Sequence, residues 1–314
     1  MGRTLLPLGL LLAGCTTGSG PVGVCTMASA DQAWLEGALS QWQVAEQQWL
    51  DLPPAPLPQV VAIDSACTYT MPEGQVALAE GVPHGGESVD LGNFEVPLGP
   101  IAFADGSGRF VMSLPSVWRA AGISSSIDFE VFLEGVMLHE IMHTRQSTLA
   151  SDALGAIEAR HPDFRISDDL VQDTFSDDPA YVGLYETERD TLFAAAAAPD
   201  DETARYLAGE ALGLMRQRRA MYFHDARDFY AELEDVFLTM EGMGQFMMLS
   251  HFRNQPGVSA ELALREALSG DYWTQNQGLA LWLVLDRLLP DWRERAFREP
   301  DWRAEQLLAA AVAG

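Results

Sequence analysis

The chain contains no lysine. All of its 19 basic residues are arginine, they face 45 acidic ones, and the formal net charge is −26. A surface this negative repels phosphate backbones and anionic headgroups, which argues against nucleic acid as a partner. Cysteine is scarce, at three in 314 residues. Long apolar runs are missing after the first fifteen residues. The stretch "LALWLVLDRLL" is too short to cross a bilayer and is interrupted by Asp286 and Arg287. No internal repeat is present. What remains is ordinary globular composition, 48% hydrophobic and 20% charged, in a chain long enough for one large domain or two small ones.

The first residues, "MGRTLLPLGLLLAGC", read as a targeting segment: Arg3 supplies the positive end and Leu5 to Leu12 the apolar stretch. Leu12-Ala13-Gly14-Cys15 resembles a bacterial lipobox, which implies a signal peptide over 1–15 and lipidation of Cys15. The expected location is the cell envelope. Thr16 follows, not the aspartate that resembles an inner-membrane retention signal, so the outer membrane is favoured. Residues 16–30, beginning "TTGSGPVGV", read as a flexible tether. With Cys15 set aside, Cys25 and Cys67 form an even pair in an oxidising compartment, either as a disulfide or as two buried thiols. A disulfide there contributes roughly 4 kcal/mol at most by loop entropy.

Residues 31–314 read as one domain whose two parts differ in kind. Over 31–127 the pattern is a helix followed by strands. "DQAWLEGALSQWQVAEQQWL" has apolar residues near helical spacing, with Asp31 as candidate N-cap and Pro53 to Pro58 as the stop. "QVVAIDSACTYTM" (59–71) reads as a strand, "HGGESVDLGN" as a loop, and residues 96–118 as two strands around Asp105-Gly106-Ser107-Gly108. From residue 128 the pattern is helical almost to the end, with breaks at Pro162, Pro179, Pro199, Pro256 and Pro290. The expected fold class is α+β: a small β-containing N-terminal part, then a mainly α-helical body.

Within that body, "LEGVMLHEIMHTRQ" carries His139-Glu140-Ile141-Met142-His143. Residues i and i+4 project from one face of a helix, so His139 and His143 can hold one metal ion. Glu140 points one residue round, where it suits a general base acting on water better than a third ligand. Ser126 or Asp128 can cap this helix, and Phe132, Val136, His139, His143 and Gln146 fall along one stripe. The competing reading is a pair of core histidines.

H-E-x-x-H on a helix that follows strands resembles the zincin metallopeptidases. The resemblance implies one Zn²⁺ per chain, a peptide or protein substrate, and Glu140 as the catalytic base. The metzincin continuation is absent from "HEIMHTRQSTLAS", so the third ligand has to come from elsewhere. Glu241-Gly242-Met243-Gly244-Gln245-Phe246 resembles the E-G-x-A-x-Y signature of gluzincin-type peptidases, with Gly244 and Phe246 in place of alanine and tyrosine. Glu186-x-x-x-Asp190 resembles the form found in thermolysin-like enzymes. Glu241 is preferred because it is a lone carboxylate in an apolar helical run, where an unpaired charge is costly. Gly242 and Gly244 would also let its helix approach the histidines closely. Glu186 is the alternative, Glu188 lies beside it, and His161, His224 and His251 are further candidates. The acidic group not used as ligand is expected to orient His139 or His143.

This placement makes 150–230 an inserted helical hairpin, turning at "AAAAAPDD". By residue type, Tyr181, Tyr185, His224 and Arg145 could stabilise an oxyanion. Arg216, Arg218 and Arg219 read as a solvated face paired with acids, or as a contact for a substrate carboxylate. Trp282, Trp292 and Trp302 read as core. "HTRQ" also resembles the H-E-x-x-H-x-x-Q variants of uncharacterised bacterial zincin-like proteins. The alternative function is therefore an inactive zincin-fold lipoprotein working in binding or assembly.

Overall fold

A computed structural model describes residues 25–75, 77, 81–84, 86–92, 94–298 and 302–314. The expected signal peptide, Cys15 and residues 16–24 of the tether lie outside the described residues.

Helix α1 (Ser29–Gln48) opens the described chain, ahead of five strands in one sheet and two in another. The larger sheet runs β3 (Val82–Pro83), β2 (Cys67–Met71), β1 (Val60–Ile63), β7 (Phe110–Ser113) and β6 (Ala102–Ala104). β1 and β7 are parallel, and the other pairs are antiparallel. β4 (Ser88–Asp90) and β5 (Glu95–Pro97) form a separate hairpin. β1 is buried along its whole length because each face is covered by a different body. Val60 and Ala62 join the main core with Trp34 and Trp42 of α1, while Val61 and Ile63 pack with Val89 and Val96 of the hairpin. Cys25 and Cys67 are disulfide-bonded, with Cα atoms 5.9 Å apart, which joins the N-terminal arm to β2.

The helical body follows α2 (Pro115–Ala120): α3 (Phe129–Arg160), α4 (Leu170–Phe175), α5 (Pro179–Ala196), α6 (Asp201–Tyr222), α7 (Tyr230–Arg253), α8 (Ala260–Ala267), α9 (Trp273–Leu288), α10 (Trp292–Arg295) and α11 (Ala304–Ala313). The fold is α+β, a small sheet region followed by a mainly helical body. α3 starts where Asp128 accepts the backbone N–H groups of Glu130 and Val131 at 3.0 and 3.2 Å. α5 and α6 form an antiparallel hairpin around residues 197–200, and α7 lies between α3 and α9. α7 is apolar on almost every face, as a helix walled in by others must be. Trp282, Trp292 and Trp302 are all fully buried. Among the described residues no helix is long and apolar enough to cross a membrane.

Four local expectations need correction. α1 begins at Ser29 with Ala28 at its N-cap. Asp31 is instead buried in the first turn and accepts the backbone N–H of Ser116 at 3.2 Å, serving the start of α2. The segment 59–71 is two strands, because the Asp64 carboxylate accepts the N–H groups of Ala66 and Cys67 at 2.7 and 2.6 Å and turns the chain. "HGGESVDLGN" contains β4. Finally, Gly242 faces α9, where a Cβ would lie 2.6 Å from Gly278 Cα and 2.4 Å from Trp282, so it does not approach the histidine helix. That role belongs to Gly244, treated below.

The Gly242–Gly278 crossing brings two backbones together with no room for a methyl group. Gly242→Ala should therefore destabilise the protein by roughly 1–3 kcal/mol through overpacking. Denaturant unfolding of the variant beside the parent measures this, and an unchanged midpoint would refute the close crossing.

Candidate metal centre

His139, Glu140 and His143 lie near the middle of α3, on the side turned toward α7 and β6. The helical repeat puts both imidazoles on one stripe, with ring centroids 5.0 Å apart and planes near perpendicular at 83°. Both are buried, at 2% and 7% exposure. His139 can reach this position because Gly244 of α7 has no side chain. A Cβ there would lie 2.8 Å from His139 Nε2.

Across the same contact comes Glu241. Its Oε2 lies 3.1 Å from His139 Nε2 and its Oε1 lies 3.6 Å from His143 Nε2. Ligand atoms around a tetrahedral zinc with bonds near 2.05 Å are about 3.3 Å apart, so these distances suit one shared ion. Glu140 belongs to the same cluster: ligand atoms of His139, Glu140 and His143 all lie within 4.8 Å of one another. His139, Glu140 and His143 could together hold a metal ion.

The surroundings fix the protons. His143 Nδ1 lies 3.2 Å from Gln146 Oε1, so Nδ1 carries hydrogen and donates it. Gln146 in turn points its amide N–H at Met243 Sδ, 3.5 Å away. His143 Nε2 is thereby left with a bare lone pair, buried and without a hydrogen-bond partner among the described residues. Burial, reinforced by the neighbouring His139, pushes the His143 pKa down and keeps the ring neutral. Burial works the same way on His139, but the Glu241 hydrogen bond and the charges of Glu140 and Glu241 outweigh it and raise its pKa. His139 Nδ1 is also buried without a partner among the described residues. This departs from the usual metal-ligating histidine, whose second nitrogen is held by a carbonyl or carboxylate.

The carboxyl groups divide sharply. Burial alone would raise Glu241, yet the charge of His143 and His139 when protonated, the His139 hydrogen bond and the amide of Gln275, 3.3 Å from Oε2, lower it below the usual carboxylate range. Glu140 is half-buried without such donors, and desolvation with Glu241 and Asp168 nearby raises it to about 8. Asp168 rises to about 7, through burial and then through the charges of Glu241 and Asp169.

The site opens into a cavity of about 580 Å³ whose apolar lining includes edge strand β6, Trp118, Phe132 and Val136. Asp168, Asp169, Gln245, Tyr272 and Gln275 line it as well. Several residues expected here are elsewhere. Glu186 is exposed on α5. Glu188 is fully buried against Arg218 and Gln277, so neither glutamate orients a histidine. That work falls to Gln146 for His143 and Gln275 for Glu241. His161 stacks on Phe229, His251 pairs with Glu134 at 3.1 Å, and His224 is exposed beside Asp225.

None of the four side chains considered for an oxyanion lines the cavity. Tyr181 accepts from Arg218 at 2.6 Å, Tyr185 donates to the Trp273 carbonyl at 3.2 Å, and Arg145 pairs with Glu46. Arg218 and Arg219 are buried in a network with Glu188, Glu234 and Asp235, and only Arg216 keeps a solvated face. Gln146 lay on the histidine stripe and could have been found from the helical period. Gln275 and Tyr272, more than thirty residues beyond α7's first turn, carried no local signal.

No family model, curated protein or solved structure matches the chain.

Asp168 gives the site a pH signature. Its carboxyl titrates near 7 in the folded chain against 3.8 ordinarily. The folded state therefore holds the extra proton between those values, and stability falls as pH rises through them. Asp168→Asn should show a smaller drop in melting temperature from pH 5 to pH 8 than the metal-free parent. Equal drops would show that Asp168 is not held protonated.

Proposed function

We propose that the protein is a zinc-dependent hydrolase, a peptidase of zincin type, tethered to the bacterial cell envelope through lipidated Cys15. The observation that carries the metal reading is His143 Nε2: a buried, neutral, unpartnered lone pair facing a carboxylate that also reaches His139. Two imidazoles and a carboxylate are the donor set of catalytic zinc sites, which leave a position for water. His139, His143 and Glu241 would hold the ion, one per chain. Bound there, zinc supplies Lewis-acid chemistry, acidifying water and polarising a carbonyl. Glu140 lines the same cavity; the positive charge of a bound ion would favour its carboxylate over the acid form that prevails without metal, and it would then take the proton from water as the water oxygen bonds to the peptide carbon. The same carboxyl then delivers that proton to the departing amine as the C–N bond breaks. The Cys25–Cys67 disulfide supports export to an oxidising compartment.

A second reading is a metal-binding lipoprotein without hydrolytic activity. It is favoured by His139 Nδ1, which nothing among the described residues holds in place.

Elemental mass spectrometry of the purified full-length protein separates these readings. Zinc content near one per chain is expected for the parent, for Glu186→Ala and for Glu140→Gln, with loss in His143→Ala and Glu241→Ala. Glu140→Gln should also lower hydrolysis of a peptide library by about 10²-fold or more. Zinc near zero after purification in zinc-containing, chelator-free buffer would overturn the metal reading. Full zinc with no hydrolysis by the parent would leave the binding reading.

A further inference from the structure

The cavity carries more negative charge than a metal centre uses. Glu140, Glu158, Asp168, Asp169, Glu241 and Glu266 all line it, against one arginine, Arg165, and the two histidines. A divalent ion would offset Glu140 and Glu241. Glu266 is tied to Ser125 Oγ and the Ser126 N–H at 2.5 and 3.2 Å, and Glu158 is exposed. Asp168 and Asp169 remain. They occupy the turn leading into α4, and the strongest charges acting on them are themselves negative. Those charges are Glu241 and Asp169 for Asp168, and Asp173 and Glu241 for Asp169. Tyr272 brings an aromatic ring to the same wall, and its hydroxyl feels both aspartates.

An independent feature points the same way. Gln245 lines the cavity, is 4% exposed, and its Oε1 has no hydrogen-bond partner among the described residues. Its orientation is dictated by a chain of donors. Ionised Glu241 can only accept, so Gln275 turns its Nε2 toward it at 3.3 Å. Gln275 Oε1 is then left to accept from Gln245 Nε2 at 2.7 Å. Turning the Gln245 amide round would set two carbonyl oxygens against each other. Gln245 therefore holds a bare acceptor at the cavity wall, suited to an N–H donor and not to a carboxylate.

We propose that the cavity binds its peptide substrate through a cationic group, an ammonium or guanidinium, set against Asp168 and Asp169, with Gln245 accepting a substrate N–H. The term substrate rests on the peptidase reading, whereas the preference for positive charge rests on the cavity wall alone. A guanidinium can meet paired carboxylates through several charge-assisted hydrogen bonds and stack on an aromatic ring, which a neutral isostere cannot.

Two probe pairs test this by calorimetry at pH 8 on the full-length protein. N-acetylarginine hydroxamate and N-acetylcitrulline hydroxamate differ in charge and share a zinc-binding group. Benzamidine and benzamide differ in charge and have no such group, so they also report on the metal-free protein. The cationic member of each pair should bind at least tenfold tighter to the parent. The ratio should fall toward one in Asp168→Asn/Asp169→Asn, or in either single variant should the double variant not fold by its melting curve. A ratio near one in the parent for both pairs overturns the inference and leaves the metal reading standing. A preference that survives in folded variants overturns the assignment to these aspartates. Protein that takes up no zinc yet prefers benzamidine, with the preference lost in the variants, would sink the metal reading and sustain the cationic site.

Discussion

A carboxylate sealed between two helices has to find donors there, and the donors Glu241 finds set the arrangement around it. It lies on α7, the helix most enclosed by its neighbours, and its carboxyl is held below the usual carboxylate range by donors from both sides. The His139 imidazole that donates to it comes from α3 and the Gln275 amide from α9, so one side chain joins three helices. The approach this requires is permitted by missing side chains. Gly244 admits the His139 ring, Gly135 of α3 admits Phe252, and Gly242 meets Gly278 on the far side. Adding atoms at these positions would separate the helices and strand the carboxylate, at a cost larger than the packing loss alone.

A second buried charge cluster secures the other end of α7. Arg218 is fully buried, spans Glu188 of α5 and Glu234 of α7, and donates to Tyr181 as well. Arg219 reaches Glu234, Asp235 and, in α11, Glu305. A buried network of this kind is weak evidence of net stability, but it is intolerant of misplacement: a shift of one turn leaves charges unpaired. Its effect is to lock the α5–α6 hairpin in one register on α7. Mechanically, the hairpin is bound to the helix that presents Glu241, though it contributes nothing to the cavity wall itself.

Much of the α+β layout could be read from local signals. Asp128 announces the start of α3, the prolines fall at helix ends, and the turn between α5 and α6 sits at the polar break in an alanine run. The histidine stripe and Gln146 follow from helical period. What escaped were relations across distance. Gly242 and Gly244 are two residues apart and looked equivalent, yet they face opposite helices because each step turns the helix by about 100°. Asp31 had the chemistry of a cap for its own helix, but its acceptor serves the backbone of α2. Arg218 and Arg219 looked like a wet face because composition does not disclose which acids will fold over them. Glu241 was readable as a costly charge in an apolar run, whereas the amide that steadies it lies in another helix with no local mark.

The disulfide between Cys25 and Cys67 has a consequence for how load enters the molecule. Tension applied to the chain ahead of Cys25 passes through the bridge into β2, whose hydrogen bonds to β1 run across the strand direction. Shearing two strands breaks such bonds together, whereas peeling a terminal helix breaks contacts one turn at a time. α1, which begins four residues after the bridge and packs its tryptophans on the sheet, is bypassed. Pulling from that end would therefore load the small sheet before α1, and through β6 the load would reach the cavity wall and α3.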